Sequence, residues 1–262
     1  MIKTILSHLP GDFPRQVHWF EEVTSTNDIA KQMAKAGAPH GTAVLAGRQT
    51  GGRGRMGRHF SSPAGMGVYL SVILRPGRPA PELMHLTCAV GTLMCDAVET
   101  VSACRPKLKW INDLILQNKK LGGILTELSI DAASGLVDYA VVGIGINCNQ
   151  QKADFPAELQ ETAISLKMHT GKPVDMAQLA AAMIYRLCQG AIPENRISLM
   201  SAYRKDCITL GKEITVLQEA ASYPATALDI NDDGALLVRL CDGSTKLLQS
   251  GEVSIRGQAG YI

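Results

Sequence analysis

The sequence predicts mixed helices and strands over residues 1–208, followed by a small β module over residues 209–262. Two observations predict this α/β pattern followed by a β module. In the first part, short apolar segments that read as strands alternate with helical periodicity. After about Leu210 helical periodicity stops, and short strands follow one another between turns such as "NDDG". That spacing is typical of a small barrel of roughly fifty residues.

The predicted elements of the first part follow from caps, breakers and periodicity. A strand at 17–23 precedes "TSTND", which offers several helix caps, and Gly37 ends that helix. The strand "GVYLSVIL" at 67–74 ends before two prolines, and Pro81 begins a long apolar helix. The other predicted strands lie at 42–47, 108–110, 114–117, 120–130 and 136–147, and the other predicted helices lie within 155–166, 175–190 and 194–205.

Composition limits the function class. Hydrophobic residues make up 46% of the 262 residues, and the net charge is only +2, which is too weak for a nucleic-acid binder that works by bulk electrostatics. No apolar run approaches the roughly 20 residues of a membrane span, and the N-terminus does not resemble a signal peptide. The seven cysteines are scattered without a C-x-x-C pair, which indicates reduced thiols and a cytoplasmic protein.

The segment "GRQTGGRGRMGRHF", residues 47–60, holds four arginines and five glycines. Arginine suits bidentate recognition of carboxylates and phosphates, and glycine lets backbone approach a ligand closely. A Rossmann fingerprint is excluded because "RHFSSPAG" follows instead of a helix, and no P-loop motif is present. Two interpretations remain from composition, namely a loop that folds over an anionic ligand and a solvated basic loop.

Three further motifs have both a functional and a structural interpretation. "KWINDLILQNKKLGGIL" at 109–125 predicts a hairpin that brings Asn112 and Asp113 close to Lys120, or a plain surface hairpin. "GIGIN" at 143–147 fits a wall for a flat ring, or a tightly packed core strand. "STND" at 25–28 fits a polar binding site, or an ordinary helix cap.

Taken in order, these motifs resemble those of the biotin–protein ligases, also called biotin–[acetyl-CoA-carboxylase] ligases. The loop G-R-G-R-x-G-R stands at 52–58, S-T-N at 25–27, K-W-x-N-D at 109–113, K-L-x-G-I-L at 120–125 and G-x-G-I-N at 143–147. Two departures are Ile111, where the family usually has proline, and Phe60, where many relatives have tryptophan. Some relatives begin with a DNA-binding domain, for which the 24 residues before Ser25 leave no room, so we expect no DNA partner.

The resemblance implies an α+β fold: a mixed-sheet catalytic domain with flanking helices, and a C-terminal SH3-like barrel. It also implies an ATP- and Mg²⁺-dependent enzyme that activates biotin as biotinyl-5′-AMP and transfers it to a lysine of a biotin carboxyl carrier protein. The alternatives are a lipoate–protein ligase, which shares the fold and chemistry, and a non-catalytic biotin sensor. Family members are monomers or dimers.

The resemblance also implies roles for single residues, with Lys120, Arg55 and Arg53 as the catalytic cations. The expected biotin-binding residues are Ser25, Thr26, Asn27, Gln49, Gly52, Arg53, Gly54, Arg55, Lys120, Gly122 and Gly123. The expected ATP-binding residues are Arg55, Arg58, Phe60, Asn112, Asp113, Lys120, Ile146 and Asn147. No dedicated protein metal site is expected. We call residues 47–60 the arginine loop, and we expect it to be mobile until ligand anions supply its missing counter-charge.

Overall fold

Two β-sheets organise the chain in the computed structural model, which describes residues 1–11, 13, 16–192, 196–217, 222–249 and 254–257. The first sheet has seven strands in the order β1-β2-β3-β7-β6-β5-β4. Only β1 and β2 pair in parallel, so this sheet is mixed, as predicted. Its strands are β1 (Val17–Val23), β2 (Ala43–Gln49), β3 (Gly67–Leu74), β4 (Lys107–Lys109), β5 (Asp113–Leu116), β6 (Lys119–Ile130) and β7 (Val137–Asn147).

Helices cover both faces of this sheet. One face packs on a long, largely buried helix and its neighbours, and a smaller apolar cluster on the other face holds Ala30, Ala34, Val44, Ile73 and Tyr139. Apolar residues alternate between the two faces because strand side chains point alternately up and down. The helices are α1 (Ile2–Ser7), α2 (Thr26–Lys35), α3 (Leu86–Ser102), α4 (Leu166–Thr170), α5 (Met176–Gly190) and α6 (Arg196–Asp206).

The second sheet is antiparallel, with the strand order β11-β10-β9-β8-β12. The change from mixed helices and strands to short strands alone, predicted from the sequence, is confirmed. Its strands are β8 (Glu213–Leu217), β9 (Ser222–Ile230), β10 (Leu236–Arg239), β11 (Thr245–Leu248) and β12 (Ser254–Gly257).

The helix predicted within 155–166 is wrong. The segment forms only a short 3-10 turn at Ala157–Leu159, and α4 begins at Leu166. The reason is a long-range pairing with β6: the amide of Lys120 donates to the carbonyl of Thr162 at 2.7 Å, and the amide of Ile164 donates back to Lys120 at 2.9 Å. Backbone groups used in this bridge cannot also close helical turns.

All seven cysteines are free thiols. Cys88, Cys95, Cys148 and Cys207 are buried, whereas Cys241 is exposed. Burial raises the pKa of the Cys148 thiol to about 12, which keeps it protonated and inert. In the part of the chain that the structure describes, no helix is both long enough and apolar enough to span a membrane.

Candidate active site

A cavity of about 500 Å³ opens where α2, the arginine loop, β5–β6 and β7 meet. The structure therefore brings most of the predicted site residues to one place. Those that line the cavity are Ser25, Thr26, Asn27, Gln49, Arg53, Gly54, Arg55, Arg58, Phe60, Asn112, Asp113, Lys120, Gly123 and Asn147.

Thr26 and Gln49 form a polar pair at the start of α2. The amide and hydroxyl of Thr26 both donate to Oε1 of Gln49, at 2.8 and 3.0 Å. Nε2 of Gln49 donates to Ser62 at 3.0 Å, which fixes the orientation of the Gln49 amide. Ser25 stands at the N-cap, but its side chain makes no capping hydrogen bond, so the cap interpretation does not account for its hydroxyl.

Asn27 is almost fully buried, with 4% of its surface exposed. Its Nδ2 donates to Oε2 of Glu127 at 2.8 Å, and its Oδ1 accepts from the hydroxyl of Ser71 at 2.6 Å. Neither Ser71 nor Glu127 was predicted from the sequence. Glu127 lies on the strand that contains the predicted "KLGGIL" segment. It is far from Asn27 in the sequence, so no local pattern indicated their contact.

The arginine loop is a tight hairpin that follows β2. Its tip is closed by the amide of Gly54, which donates to the carbonyl of Arg58 at 2.7 Å, and its base by the amide of Phe60, which donates to Gly52 at 2.9 Å. Met56 and Gly57 turn the chain with φ of 54° and 70°. Gly52 has no space for a side chain, because an added Cβ would overlap the Phe60 carbonyl.

Arg53 lies at the base of this hairpin and points to α2. Its guanidinium lies 2.5 Å from Oδ1 of Asp28 and 3.5 Å from Oε2 of Glu127. Arg53 thus has counter-charges from the protein itself, which differs from the expectation that ligand anions alone supply them. The sequence could not reveal this because the carboxylates come from α2 and β6.

Arg55 reaches toward the β5 end of the cavity. Its Nη1 lies 3.5 Å from Oδ1 of Asn112. Burial lowers the pKa of Arg55, although the nearby Asp113 carboxylate favours the charged form. Nδ2 of Asn112 donates to the carbonyl of Ile124 at 3.0 Å, so β6 fixes the Asn112 amide that faces Arg55.

The predicted hairpin between β5 and β6 is confirmed, with Gln117 and Asn118 in the left-handed region at its turn. It brings Nζ of Lys120 to 2.6 Å from Oδ1 of Asp113. A Cβ added to Gly123 would lie 3.4 Å from that Nζ. The hairpin therefore places a cation and a carboxylate together on the cavity wall.

Alternate residues of β7 form a flat wall of small side chains. A Cβ on Gly143 would overlap the Asn27 side chain, and a Cβ on Gly145 would overlap the Phe60 ring. The glycines of "GIGIN" therefore leave the space that the Asn27 and Phe60 side chains occupy. Asn147 continues the row, and its Nδ2 donates to the carbonyl of Ile164 at 3.2 Å.

Three predicted site residues do not line the cavity. Gly52 lies beneath the Phe60 carbonyl, and Gly122 lies against the Gly145 carbonyl. Ile146 is fully buried in the apolar core, because it alternates with the glycines of β7. Ile124 and Leu125 of the "KLGGIL" segment and Gly143, Ile144 and Gly145 of the predicted "GIGIN" wall also line the cavity. The cavity-lining residues that sequence reasoning did not assign are Met56, His59, Ser61, Lys109, Trp110, Phe155, Leu159, Thr162, Ala163 and Ile255.

Some of these missed residues had a signal and others had none. Lys109 and Trp110 stand in the quoted "KWIND" motif, and Met56 and His59 stand in the quoted arginine-rich segment. Phe155 and its neighbours come from the segment that was predicted to be a helix, and they reach the cavity through the long-range bridge to β6.

Two family models match the chain. Residues 19–147 match the biotin/lipoate A/B protein ligase family, and residues 209–256 match the biotin protein ligase C-terminal domain. Over 233 residues the chain is 34% identical to the bifunctional ligase/repressor BirA of Bacillus spizizenii, covering 86% of this chain and 70% of that protein. It is 29% identical to the biotin–[acetyl-CoA-carboxylase] ligase of Mycobacterium tuberculosis, covering 91% of this chain and 88% of that one.

Solved structures agree with these matches. The biotin protein ligase of Aquifex aeolicus in complex with biotin and ATP superposes with a TM-score of 0.77 at 31% identity, covering 92% of this chain and 99% of that one. The biotin protein ligase of Leishmania major in complex with biotinyl-5-AMP superposes with a TM-score of 0.61 at 27% identity, covering 91% and 100%.

Proposed function

Because the chain belongs to the biotin/lipoate protein ligase family, we propose that it activates biotin with ATP and transfers the biotinyl group to a lysine of a carrier protein. The observation that carries the proposal is a single cavity that combines the hydroxyl and amide groups of Ser25, Thr26 and Gln49 with the cations of Arg55 and Lys120. The first group suits a neutral heterocycle with N–H and C=O groups, and the second suits carboxylate and phosphate.

In the proposed first step, a carboxylate oxygen of biotin attacks the α-phosphorus of ATP. The new O–P bond gives biotinyl-5′-AMP, and the bond to pyrophosphate breaks. Two anions must approach each other, so the cations at the cavity wall first cancel their repulsion. Lys120 Nζ, 2.6 Å from Asp113, is the proposed bridge between the biotin carboxylate and the α-phosphate. Arg55 and Arg58 are proposed to hold the phosphates.

The proposed biotin-ring end of the cavity is at the start of α2. A ureido ring presents two N–H donors and one carbonyl, which hydroxyl and amide groups can match. The Ser25 hydroxyl makes no capping bond, and Gln49 Nε2 has a second N–H beyond the one donated to Ser62. Ile124 and Leu125 line the cavity and are proposed to contact the apolar part of biotin.

The family implies Mg²⁺, and the oxygen ligands near the phosphate end fit a weakly held ion. Asp113 and Asn112 offer hard oxygen atoms, whereas no group of three or more His, Cys, Asp or Glu side chains suited to a metal occurs in the described ranges. Mg²⁺ is commonly held by substrate phosphates with one or two protein oxygens, and it would neutralise phosphate charge here.

In the proposed second step, the uncharged amine of a carrier lysine attacks the carbonyl carbon of the mixed anhydride. An amide bond forms, the bond to AMP breaks, and the amine loses a proton. The arginine loop, held at its base by Arg53 and at its tip by Gly54 and Arg58, is proposed to shield the anhydride from water until then.

The proposal is tested with the purified protein, ATP, Mg²⁺, biotin and a biotin carboxyl carrier domain. We expect biotin on the carrier in a streptavidin blot and biotin-dependent release of pyrophosphate. Lipoate in place of biotin separates the two ligase activities of the family, and omission of the carrier separates activation from transfer. Absence of biotin-dependent pyrophosphate release would refute the proposal.

A further inference from the structure

Glu127 on β6 accepts hydrogen bonds from two side chains and forms an ion pair with a third. Nδ2 of Asn27 lies 2.8 Å from Oε2, Nζ of Lys31 lies 2.9 Å from Oε1, and Nη2 of Arg53 lies 3.5 Å from Oε2. The Glu127 side chain is 29% exposed. Although burial raises the pKa of Glu127, the hydrogen bonds from Asn27 and Lys31 outweigh it and hold that pKa below its ordinary value.

The donors come from different parts of the proposed biotin site. Asn27 lies at the start of α2, beside Thr26, and lines the cavity. Arg53 fixes the base of the arginine loop, and it also contacts Asp28, which in turn lies 3.1 Å from Lys31. Two cations and two carboxylates thus form a balanced cluster, with Glu127 in contact with both α2 and the loop.

A carboxylate can only accept hydrogen bonds, so Glu127, together with the longer contact of the Leu125 carbonyl at 3.4 Å, determines which way the Asn27 amide points. With Nδ2 turned to Glu127, Oδ1 faces the hydroxyl of Ser71, which is fully buried and has no access to water. That hydroxyl also lies 2.8 Å from Oγ1 of Thr26, and Thr26 donates to Gln49. Contacts of hydrogen-bond length therefore link Glu127 to Gln49 through Asn27, Ser71 and Thr26, with the single Ser71 proton donated to Asn27.

We propose that Glu127 is a positioning residue for biotin binding, because it orients the Asn27 amide and anchors Arg53, so that the ring end of the cavity and the arginine loop are held by one carboxylate. This inference rests on the proposed function. A glutamine at 127 has nearly the same shape, but its amide can turn either way, and it loses the ion pairs to Lys31 and Arg53.

The first test is steady-state pyrophosphate release by Glu127→Gln, with biotin and ATP varied separately. We expect the KM for biotin to rise about tenfold, since a buried polar network loses one defined partner. We expect the KM for ATP and kcat to change less than about threefold, because the contacts of Glu127 are with Asn27, Lys31 and Arg53, at the ring end of the cavity and the base of the loop. Glu22→Gln is the matched control, because Glu22 pairs with Arg48 at 2.8 Å on the exposed surface.

A second variant keeps the test informative if Glu127→Gln is less stable. Asn27→Asp alone places two carboxylates face to face and should weaken biotin binding strongly. The double variant Asn27→Asp with Glu127→Gln restores one donor and one acceptor between the positions, keeps an acceptor toward Ser71, and keeps the same net charge. We expect it to bind biotin more tightly than either single variant, as measured by calorimetry.

Trypsin cleavage at Arg53, Arg55 and Arg58 gives the loop readout, and it should be faster in Glu127→Gln than in Glu22→Gln. An unchanged biotin KM in Glu127→Gln, or equal changes in both KM values with unchanged loop cleavage, would overturn the positioning role. Wild-type protein that releases no pyrophosphate with biotin would instead refute the proposed function, so the two failures are distinguishable.

Discussion

At the scale of single residues, Lys120 shows what a motif can and cannot predict. The sequence predicted a lysine at the start of a returning strand, close to Asn112 and Asp113, and the hairpin has this arrangement. It did not predict that the Lys120 backbone is also bridged to Thr162 and Ile164. A side chain whose backbone N–H and C=O are both hydrogen-bonded is well placed to act at a fixed point.

We expect Lys120→Ala to lower the rate of biotin-dependent pyrophosphate exchange by about 10²–10³ while most of the biotin affinity remains. The physical reason is that one ammonium is lost where charge builds up on the reacting phosphate. Exchange and biotin titration would be measured side by side. Lys119→Ala is the control, because Lys119 is the next residue and lies 3.9 Å from the exposed Glu161. Near-normal exchange in Lys120→Ala would contradict the assignment.

A second prediction concerns Asp206, whose side chain is 5% exposed and contacts Arg105 and Lys107 at 2.7 and 2.9 Å. Burial alone would raise the pKa of Asp206. The hydrogen bonds from these two cations outweigh burial, so the pKa of Asp206 lies below its ordinary value. Asp206→Asn should reduce the free energy of unfolding at pH 7 by about 2 kcal/mol, measured by urea denaturation.

The pH dependence of that difference has a definite sign. A carboxyl whose pKa is lowered by folding stabilises the protein above the pKa of the unfolded chain, near 4, and loses that contribution as pH falls through its folded pKa. The difference in the free energy of unfolding between wild type and Asp206→Asn should therefore shrink at acidic pH. Glu161→Gln, on the exposed surface, should show no measurable gap at pH 7. A gap that grows in acid would show that the Asp206 network is not the cause.

At the scale of elements, local signals predicted most strands and the turns between them. The β5–β6 hairpin was predictable because "QNKK" lies between two apolar segments, and the strands at 67–74 and 136–147 were predictable from their apolar runs. The segment after β7 was not, since its backbone pairs with a strand some forty residues earlier. The glycine wall of β7 was recognised, but its occupants, Asn27 and Phe60, come from distant elements.

The arginine loop gives a prediction about an element. Residues 51–60 should be cleaved by trypsin at Arg53, Arg55 and Arg58 in the free protein and protected by biotin with ATP. The hairpin is short and exposed at Met56, and ligand phosphates would add contacts at Arg55 and Arg58. Cleavage followed by mass spectrometry locates the sites. Equal rates with and without ligands would exclude closure of the loop over the site.

The glycine wall of β7 gives a second prediction about an element. Gly143→Ala should raise the KM for biotin at least about tenfold, because a methyl group overlaps Asn27 and forces it away from Ser71 and Glu127. Gly11→Ala is the control, since an added Cβ there meets nothing within 4 Å. Thermal unfolding of both variants would show whether the effect is confined to the site. A Gly143→Ala protein with normal biotin KM would contradict the role given to Asn27.

At the scale of the whole molecule, the second sheet contacts the motif beside the site. The indole of Trp110 donates to the carbonyl of Gly234 at 2.9 Å. The backbone amide of Trp110 donates to the hydroxyl oxygen of Thr209 at 3.0 Å. Arg204 on α6 reaches the same turn at Asp232, 2.5 Å away. The two Trp110 contacts join residues 124 and 99 positions apart, so no local sequence pattern could indicate them. The domain boundary at 208 and 209 stays a prediction.

Arg204→Ala should loosen this turn and raise the KM for ATP more than the KM for biotin. Trp110 lies two residues before Asn112, at the proposed phosphate end, and far along the chain from the α2 residues at the ring end. Kinetics with each substrate varied would separate the two effects. Arg239→Ala, an exposed position on β10 of the same sheet, is the control. Equal shifts in both KM values would indicate a general loss of stability instead.

The carboxylates beside the proposed catalytic cations have a consequence for selectivity among ligands. Asp113 contacts Lys120, and Asp28 contacts Arg53, so an incoming anion must replace or rearrange a partner that is tethered and always present. A lone inorganic phosphate or small carboxylic acid supplies too few contacts to offset that exchange. When a biotin carboxylate and a triphosphate bind together, the contacts of both offset the loss of these ion pairs. We therefore expect the pocket to favour joint occupancy by biotin and ATP over simple anions that carry the same charge.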